Sequence, residues 1–172
     1  MPCHTLKGKK MTRTQEIEDK FWAALRSDMT IMLGLDGSHS QKTRPMTAQL
    51  DGDEDHGPIW FFGSRESGLV HELSGTQGAI GSFMSKGHDV FATLRGTLTV
   101  DNDRAVIDRL WNPFVAAWYE GKDDPKLVLL RFDAEDAEIW LDGSSILAGL
   151  KMLFGSDPKA DYKDNVAKVS LA

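Results

Sequence analysis

The chain predicts a mainly β (α+β) fold, a small antiparallel barrel with helices packed around it. Three observations carry this reading. Strand-sized apolar runs follow one another through tight turns, which is not the strand–long helix alternation of a parallel sheet. Helical periodicity is confined to one longer segment near the start and to short stretches between strands. The 172 residues are 41% hydrophobic and hold a single cysteine, so one core can form without a disulfide staple.

Residues 12–27 form an amphipathic helix. Thr12 followed by Gln15 is a capping-box pattern, Glu16 and Glu18 suit the positive dipole end, and Ile17, Phe21, Trp22 and Leu25 make one apolar face. Thr30–Leu35 is an apolar strand stopped by Asp36-Gly37. Thr43–Leu50 is a strand carrying Pro45, which cannot donate to a ladder and so marks an edge or a bulge. Asp51–Gly57 is an acidic turn and Ile59–Phe62 an aromatic strand.

Ser64–Ser74 is a short helix with Leu69, Val70 and Leu73 inward. Ala79–Met84 and Asp89–Val100 are strands separated by Lys86-Gly87-His88. Asp103–Trp111 is a second amphipathic helix, capped by Asn102 or Asp101 and ended by Pro113. Two last strands, Lys126–Phe132 and Glu138–Leu141, are joined through residues 133–136. In the tail, Ile146, Leu147, Leu150, Leu153 and Phe154 suit one more short helix.

Net charge is −6, so a general electrostatic grip on nucleic acid or an anionic membrane is not expected. No stretch approaches the roughly 18 apolar residues of a membrane span. The opening MPCHTLKGKK lacks the apolar centre of a signal peptide, and Met11 opens the first helix-forming segment. Residues 1–11 are therefore expected to be a disordered extension, and the protein cytoplasmic.

Several chemistries leave no trace. There is no GxGxxG after a strand, no GxxxxGK[ST] and no GxSxG. The histidines at 4, 39, 56, 71 and 88 have no metal-ligand spacing, so no metal is expected. The acidic runs at 51–55 and 123–124 fall in turns and suit solvated loops better than a carboxylate pair. No catalytic residue is assigned.

Three features fit a purely structural account less well. Thr43-Arg44-Pro45-Met46-Thr47 sets an arginine on a proline-distorted strand. Trp60-Phe61-Phe62-Gly63-Ser64-Arg65-Glu66-Ser67 runs from an aromatic strand into a small-residue turn and a helix start, which suits a phosphate. Trp118 and Trp140 lie outside the helix faces. A surface ion pair for Arg44, barrel core for Trp60–Phe62 and a dimer-interface role for Trp140 remain open alternatives.

Together with G-T-L-T-V, L-W-N-P, A-W-Y-x-G-K-D-D-P, L-V-L-L-R and A-E-I-W, these motifs over residues 12–145 resemble the general stress protein branch of the pyridoxamine 5'-phosphate oxidase-like flavin-binding proteins. The resemblance implies an FMN-binding split β-barrel over 12–145 followed by a tail at 146–172. It implies a homodimer with FMN in two clefts between subunits, FAD or a deazaflavin being less expected. Arg44, Pro45, Met46 and Thr47 would then lie along the flavin, with Arg44 toward the phosphate or ribityl end. Phe62, Gly63, Ser64 and Ser67 would wrap the ribityl phosphate. Trp140 would reach the cofactor from the partner subunit, and Trp118 would cover a cleft wall.

Two departures stand out. Leu69 occupies the place where the family often has a phosphate-binding lysine, with Arg65 or Lys86 as candidate substitutes. The uncharged Ile146-Leu147-Ala148-Gly149-Leu150 replaces a basic Arg-x-His element of the true oxidases, which argues against vitamin B6 oxidation. The expected function is an FMN-binding oxidoreductase. The alternatives are a non-catalytic flavin-binding stress protein or a cofactor-less dimeric interaction module.

Overall fold

The structure is a computed structural model that describes residues 11–37, 42–52, 56–142 and 163–172. Helix α1, Arg13–Asp28, is capped by Thr12, whose hydroxyl accepts from the Gln15 amide. Gln15 does not complete the box, because its side chain donates to Asp19 one turn on. The chain then leaves the helix through Met29 at φ 56°, a left-handed residue that turns it into the first strand.

The strands in chain order are β1 (Thr30–Leu35), β2 (Arg44–Thr47), β3 (Gln49–Leu50), β4 (Ile59–Ser64), β5 (Gln77–Met84), β6 (Val90–Val100), β7 (Leu127–Leu141) and β8 (Val166–Ser170). Every pairing among them is antiparallel. Their order across the sheet is β2-β1-β5-β6-β7-β4-β3, with β8 beside β7. The two ends of that path, β2 and β3, are neighbours in sequence, separated by Ala48 alone. A sheet whose first and last strands share one linking residue curls into a nearly closed barrel.

Three expectations change here. Thr43–Leu50 is not one strand: it breaks at Ala48, whose amide donates to Met29 O, and its halves join opposite ends of the sheet. Pro45 accordingly sits on the edge strand β2, opposite Met32. The two strands expected over 126–141 are one strand, β7. Between Arg95 and Gly96 the register slips, so that Arg95 faces Asp136 and Gly96 faces Ala134, leaving Glu135 as the extra residue of a bulge. The acidic run 133–136 looked like a turn because charge and alternation broke there together. The bulge divides the outer edge of β7: residues 127–132 pair with β4, residues 136–140 with β8. Strand β8 itself was not foreseen.

The helices between strands are short. The helix expected over Ser64–Ser74 is shorter: Ser64 still belongs to β4, and α2 (Gly68–Glu72) starts only after its cap, Ser67, while α3 (Arg104–Leu110) is capped by Asp103, which accepts from the Ala105 and Val106 amides. The expected caps, Asn102 and Asp101, are used otherwise: the Asn102 side chain accepts from the Leu129 amide. Pro113 does not simply end α3. It opens a further helix, α4 (Pro113–Ala116), capped by Asn112, since proline at the first helical position forfeits a donor that has no partner there anyway. The tail helix expected around 146–154 lies outside the described residues.

Two apolar cores follow from the alternation of β4 and β7. Ile59 and Phe61 turn into the barrel with Phe132, Leu98 and the α1 face. Trp60 turns outward beneath α3, with Val106, Ile107, Leu110 and Leu129. Each fully buried side chain of this size contributes about 1.5–3 kcal/mol. Burial falls off along the strand, so that Phe62, Gly63 and Ser64 are only half buried at the end of β4.

Candidate functional site

A cavity of about 590 Å³ opens where β2, the end of β4, α4 and the start of β7 meet. That volume lies within the usual range for a small-molecule site. Arg44, Pro45, Met46, Thr47, Phe62, Gly63, Ser64, Ser67 and Trp118 all line it. Nine expected positions, from three separate stretches of sequence, therefore meet at one place.

The polar end is built around the turn between β4 and α2. Ser64 Oγ accepts from the Glu66 amide, and Ser67 Oγ accepts from the Val70 amide. Each hydroxyl thus spends a lone pair on the backbone and keeps its proton for another acceptor. The Arg44 guanidinium lies over Gly68: a Cβ on that glycine would stand 3.5 Å and 3.7 Å from Nη1 and Nη2. Among the described residues, Arg44 has no hydrogen-bond or ion-pair partner. The bland reading of Arg44 as a surface ion pair thus finds no partner among those residues.

The remaining walls were not foreseen. Gln49, Glu66, Phe114, Val115, Tyr119 and Lys126 complete the lining. The Tyr119 hydroxyl donates to Gly63 O at 2.9 Å, and its ring packs on Trp111, which in turn meets Phe62 edge-on. Burial, reinforced by Asp124, pushes the Tyr119 phenol above its ordinary value of 10.0, so it remains a donor at neutral pH. Phe114 and Trp118 project from one side of α4 and its end and are 86% and 84% exposed. Lys126 pairs with Glu66 at 3.4 Å across the cavity rim. Among the described residues the cavity wall thus carries two cations, Arg44 and Lys126, and one anion, Glu66.

Two expected residues lie elsewhere. Leu69 is 3% exposed and packs into the barrel core, so it turns away from the cavity. Trp140 lines a second, more apolar cavity of about 490 Å³, with Thr30, Met32, Met84 and Phe91 around it. The candidate substitutes for the missing lysine are engaged away from the site as well. Arg65 Nε donates to Pro125 O, and Lys86 pairs with Asp28 at 3.7 Å. No group of three or more potential metal ligands occurs among the described residues.

The family described as pyridoxamine 5'-phosphate oxidase like matches residues 16–160 of this sequence. The chain belongs to that family. A general stress family protein of Xanthomonas campestris pv. campestris is 59% identical, with a TM-score of 0.73 over 78% of this chain and 93% of the other. A protein of Xanthomonas citri described as a general stress FMN/FAD binding protein is 57% identical, with a TM-score of 0.72 over 77% and 93%. A Jannaschia relative assigned as general stress protein 26 is 28% identical, with a TM-score of 0.72 over 90% and 98%. General stress protein 26 of Bacillus subtilis is 28% identical over 64 residues, which are 37% of this chain. The match spans about half, 46%, of that curated relative. Within the pyridoxamine 5'-phosphate oxidase-like family, the barrel closed at Ala48 is the split barrel that the motifs imply. Among the described residues no helix is long and apolar enough to cross a membrane.

Proposed function

We propose that this chain is a cytoplasmic flavin-binding protein of the general stress type, that FMN is its ligand, and that it acts as an oxidoreductase. One observation carries the reading: Arg44, Ser64 and Ser67 gather about a single turn and offer donors that none of the described residues uses. A phosphate takes such a set through charge-assisted hydrogen bonds. Pro45, Met46, Phe62 and Val115 supply apolar wall for a ring system. The 57% identical Xanthomonas citri protein, described as binding FMN/FAD, supports the same ligand class.

Bound flavin would supply the redox chemistry, and the chain would bind, orient and shield it. Tyr119 would hold Gly63 and hence the phosphate-side turn. Phe114 and Trp118 would limit water at the mouth. A homodimer follows from the same reading, because both side chains are too exposed to be filling a core. A two-fold partner would cover them and would bring its own Trp140 toward the cavity. Light scattering that gives the 19.1 kDa monomer at micromolar concentration would remove the dimer.

A second reading, a non-catalytic flavin carrier, is favoured by the proton chemistry. Burial moves the Tyr119 phenol away from neutrality, so this cavity-lining group supplies no base at neutral pH. Anaerobic reduction of the loaded protein by NADH or NADPH separates the two readings.

The binding test is Arg44→Ala. It should weaken FMN binding by about 1.5–3 kcal/mol and leave riboflavin, which lacks the phosphate, much less affected. Equal loss for both ligands moves Arg44 away from the phosphate. No loss for either makes it structural.

A further inference from the structure

We infer that Lys126 is the second phosphate-binding cation of this cavity, and that Glu66 is its resting counter-ion, displaced when a phosphomonoester binds. The inference rests on the flavin reading above. It answers a specific deficit. The position that follows the Ser64–Ser67 turn holds Leu69, which is buried in the core and brings no charge. Arg65 and Lys86 are occupied elsewhere.

Lys126 reaches the site from a different element. It stands just before β7, and its carbonyl accepts from the Arg65 amide at 2.8 Å, in the middle of the serine turn. Its own amide donates to Asp124 Oδ1 at 2.8 Å. The backbone of Lys126 is therefore tied down on both sides while its side chain remains 60% exposed at the cavity. Arg44 lies against Gly68, and the Lys126 ammonium lies against Glu66, so the two cations bracket Ser67 in sequence.

The present partner of Lys126 is weak. Glu66 is 68% exposed, and ion pairs so open to water gain little over solvation. A phosphomonoester carries close to two negative charges at neutral pH and offers three acceptor oxygens, against one charge on Glu66. It would draw the three-donor ammonium of Lys126 away from the carboxylate. Glu66 then acts as an electrostatic brake: it keeps the empty site neutral on that side, and its cost falls on the phosphate that must displace it.

Two substitutions of opposite sign test this. Both side chains are exposed, and the main-chain bonds at Lys126 survive substitution. Binding of FMN and of riboflavin is measured by flavin fluorescence at low and at physiological salt, with thermal unfolding of each variant. Lys126→Met should lower FMN affinity by about tenfold and leave riboflavin unchanged. Glu66→Gln should raise FMN affinity by about two- to threefold, again without effect on riboflavin, and the gain should shrink as salt screens the site. Unchanged FMN affinity in Lys126→Met, with the parent protein binding FMN, overturns the role of Lys126 and leaves the flavin reading standing. Equal loss of FMN and riboflavin overturns it too, making the lysine a general support. Weaker FMN binding in Glu66→Gln overturns the counter-ion. A parent protein that binds neither flavin overturns both this inference and the flavin reading.

Discussion

The Tyr119 hydroxyl donates to the Gly63 carbonyl oxygen at 2.9 Å, which ties the segment after α4 to the last turn of β4. Through Trp111 the same ring is packed against Phe62, so one tyrosine holds two residues of the cavity wall. Tyr119→Phe should cost about 0.5–1.5 kcal/mol of stability, the usual worth of one such bond. FMN affinity should fall with it, because Ser64 follows Gly63 directly. A variant with unaltered melting temperature and affinity would show that packing alone positions β4.

The same tyrosine gives a pH prediction at the alkaline end. Its folded pKa is raised above the ordinary 10.0, chiefly by burial. A raised folded value means that stability is fully present below the unfolded pKa and is lost as pH climbs through the folded one. Chemical denaturation should therefore show a decline above about pH 10 that is shallower in Tyr119→Phe.

At the acidic end the reporter is Asp51. Arg109 Nη2 and Nε hold its carboxylate at 2.6 Å and 3.0 Å, linking α3 to the turn after β3. That hydrogen-bonded guanidinium lowers the Asp51 pKa below 3.8. A lowered folded value means stability present above the unfolded pKa and lost as pH falls through the folded one. Asp51→Asn should cost little at neutral pH, as exposed pairs do. It should flatten part of the acid limb below about pH 4. An acid limb identical to that of the parent would remove the pair from the acid response.

Gly96 stands opposite the β7 bulge. A Cβ there would collide with the Asp133 carbonyl oxygen and come within 2.8 Å of Ala134 Cα, both backbone atoms that cannot turn aside. Gly96→Ala should cost about 3 kcal/mol or more and reduce soluble yield. A melting temperature close to the parent's would mean that β6 and β7 can slide to a different register.

Leu69→Lys would place a cation where the motif resemblance leads one to expect a phosphate-binding lysine. Leu69 is 3% exposed among barrel side chains, so lysine must bury its stem and strand or expel its charge. The expected result is a loss of about 1–3 kcal/mol with no gain in FMN affinity. Tighter FMN binding at unchanged stability would show instead that α2 can lift this side chain into the cavity.

Much of this protein could be read along the chain, because the signals are local. Thr12 marks a helix start through a cap that reaches three residues ahead. The apolar face of α1 and the strands β1, β4, β5 and β6 follow from periodicity over fewer than a dozen residues. Motif order also brought out nine of the cavity's residues. What the chain could not show depends on partners far away in sequence. Nothing in Thr43–Leu50 marks a break at Ala48, yet the barrel's closure sends its halves to opposite ends of the sheet there. Residues 133–136 are charged enough to be a turn, and only the ladder with β6 keeps them in a strand as a bulge. The place of Lys126 depends on such a partner too. Lys126 reaches the serine turn because β7 pairs with β4 and brings residue 126 beside residue 65. Local sequence decides which backbone bonds a segment makes within itself. The direction of a side chain is decided by which surface the segment must bury, and that surface exists only once the sheet has closed.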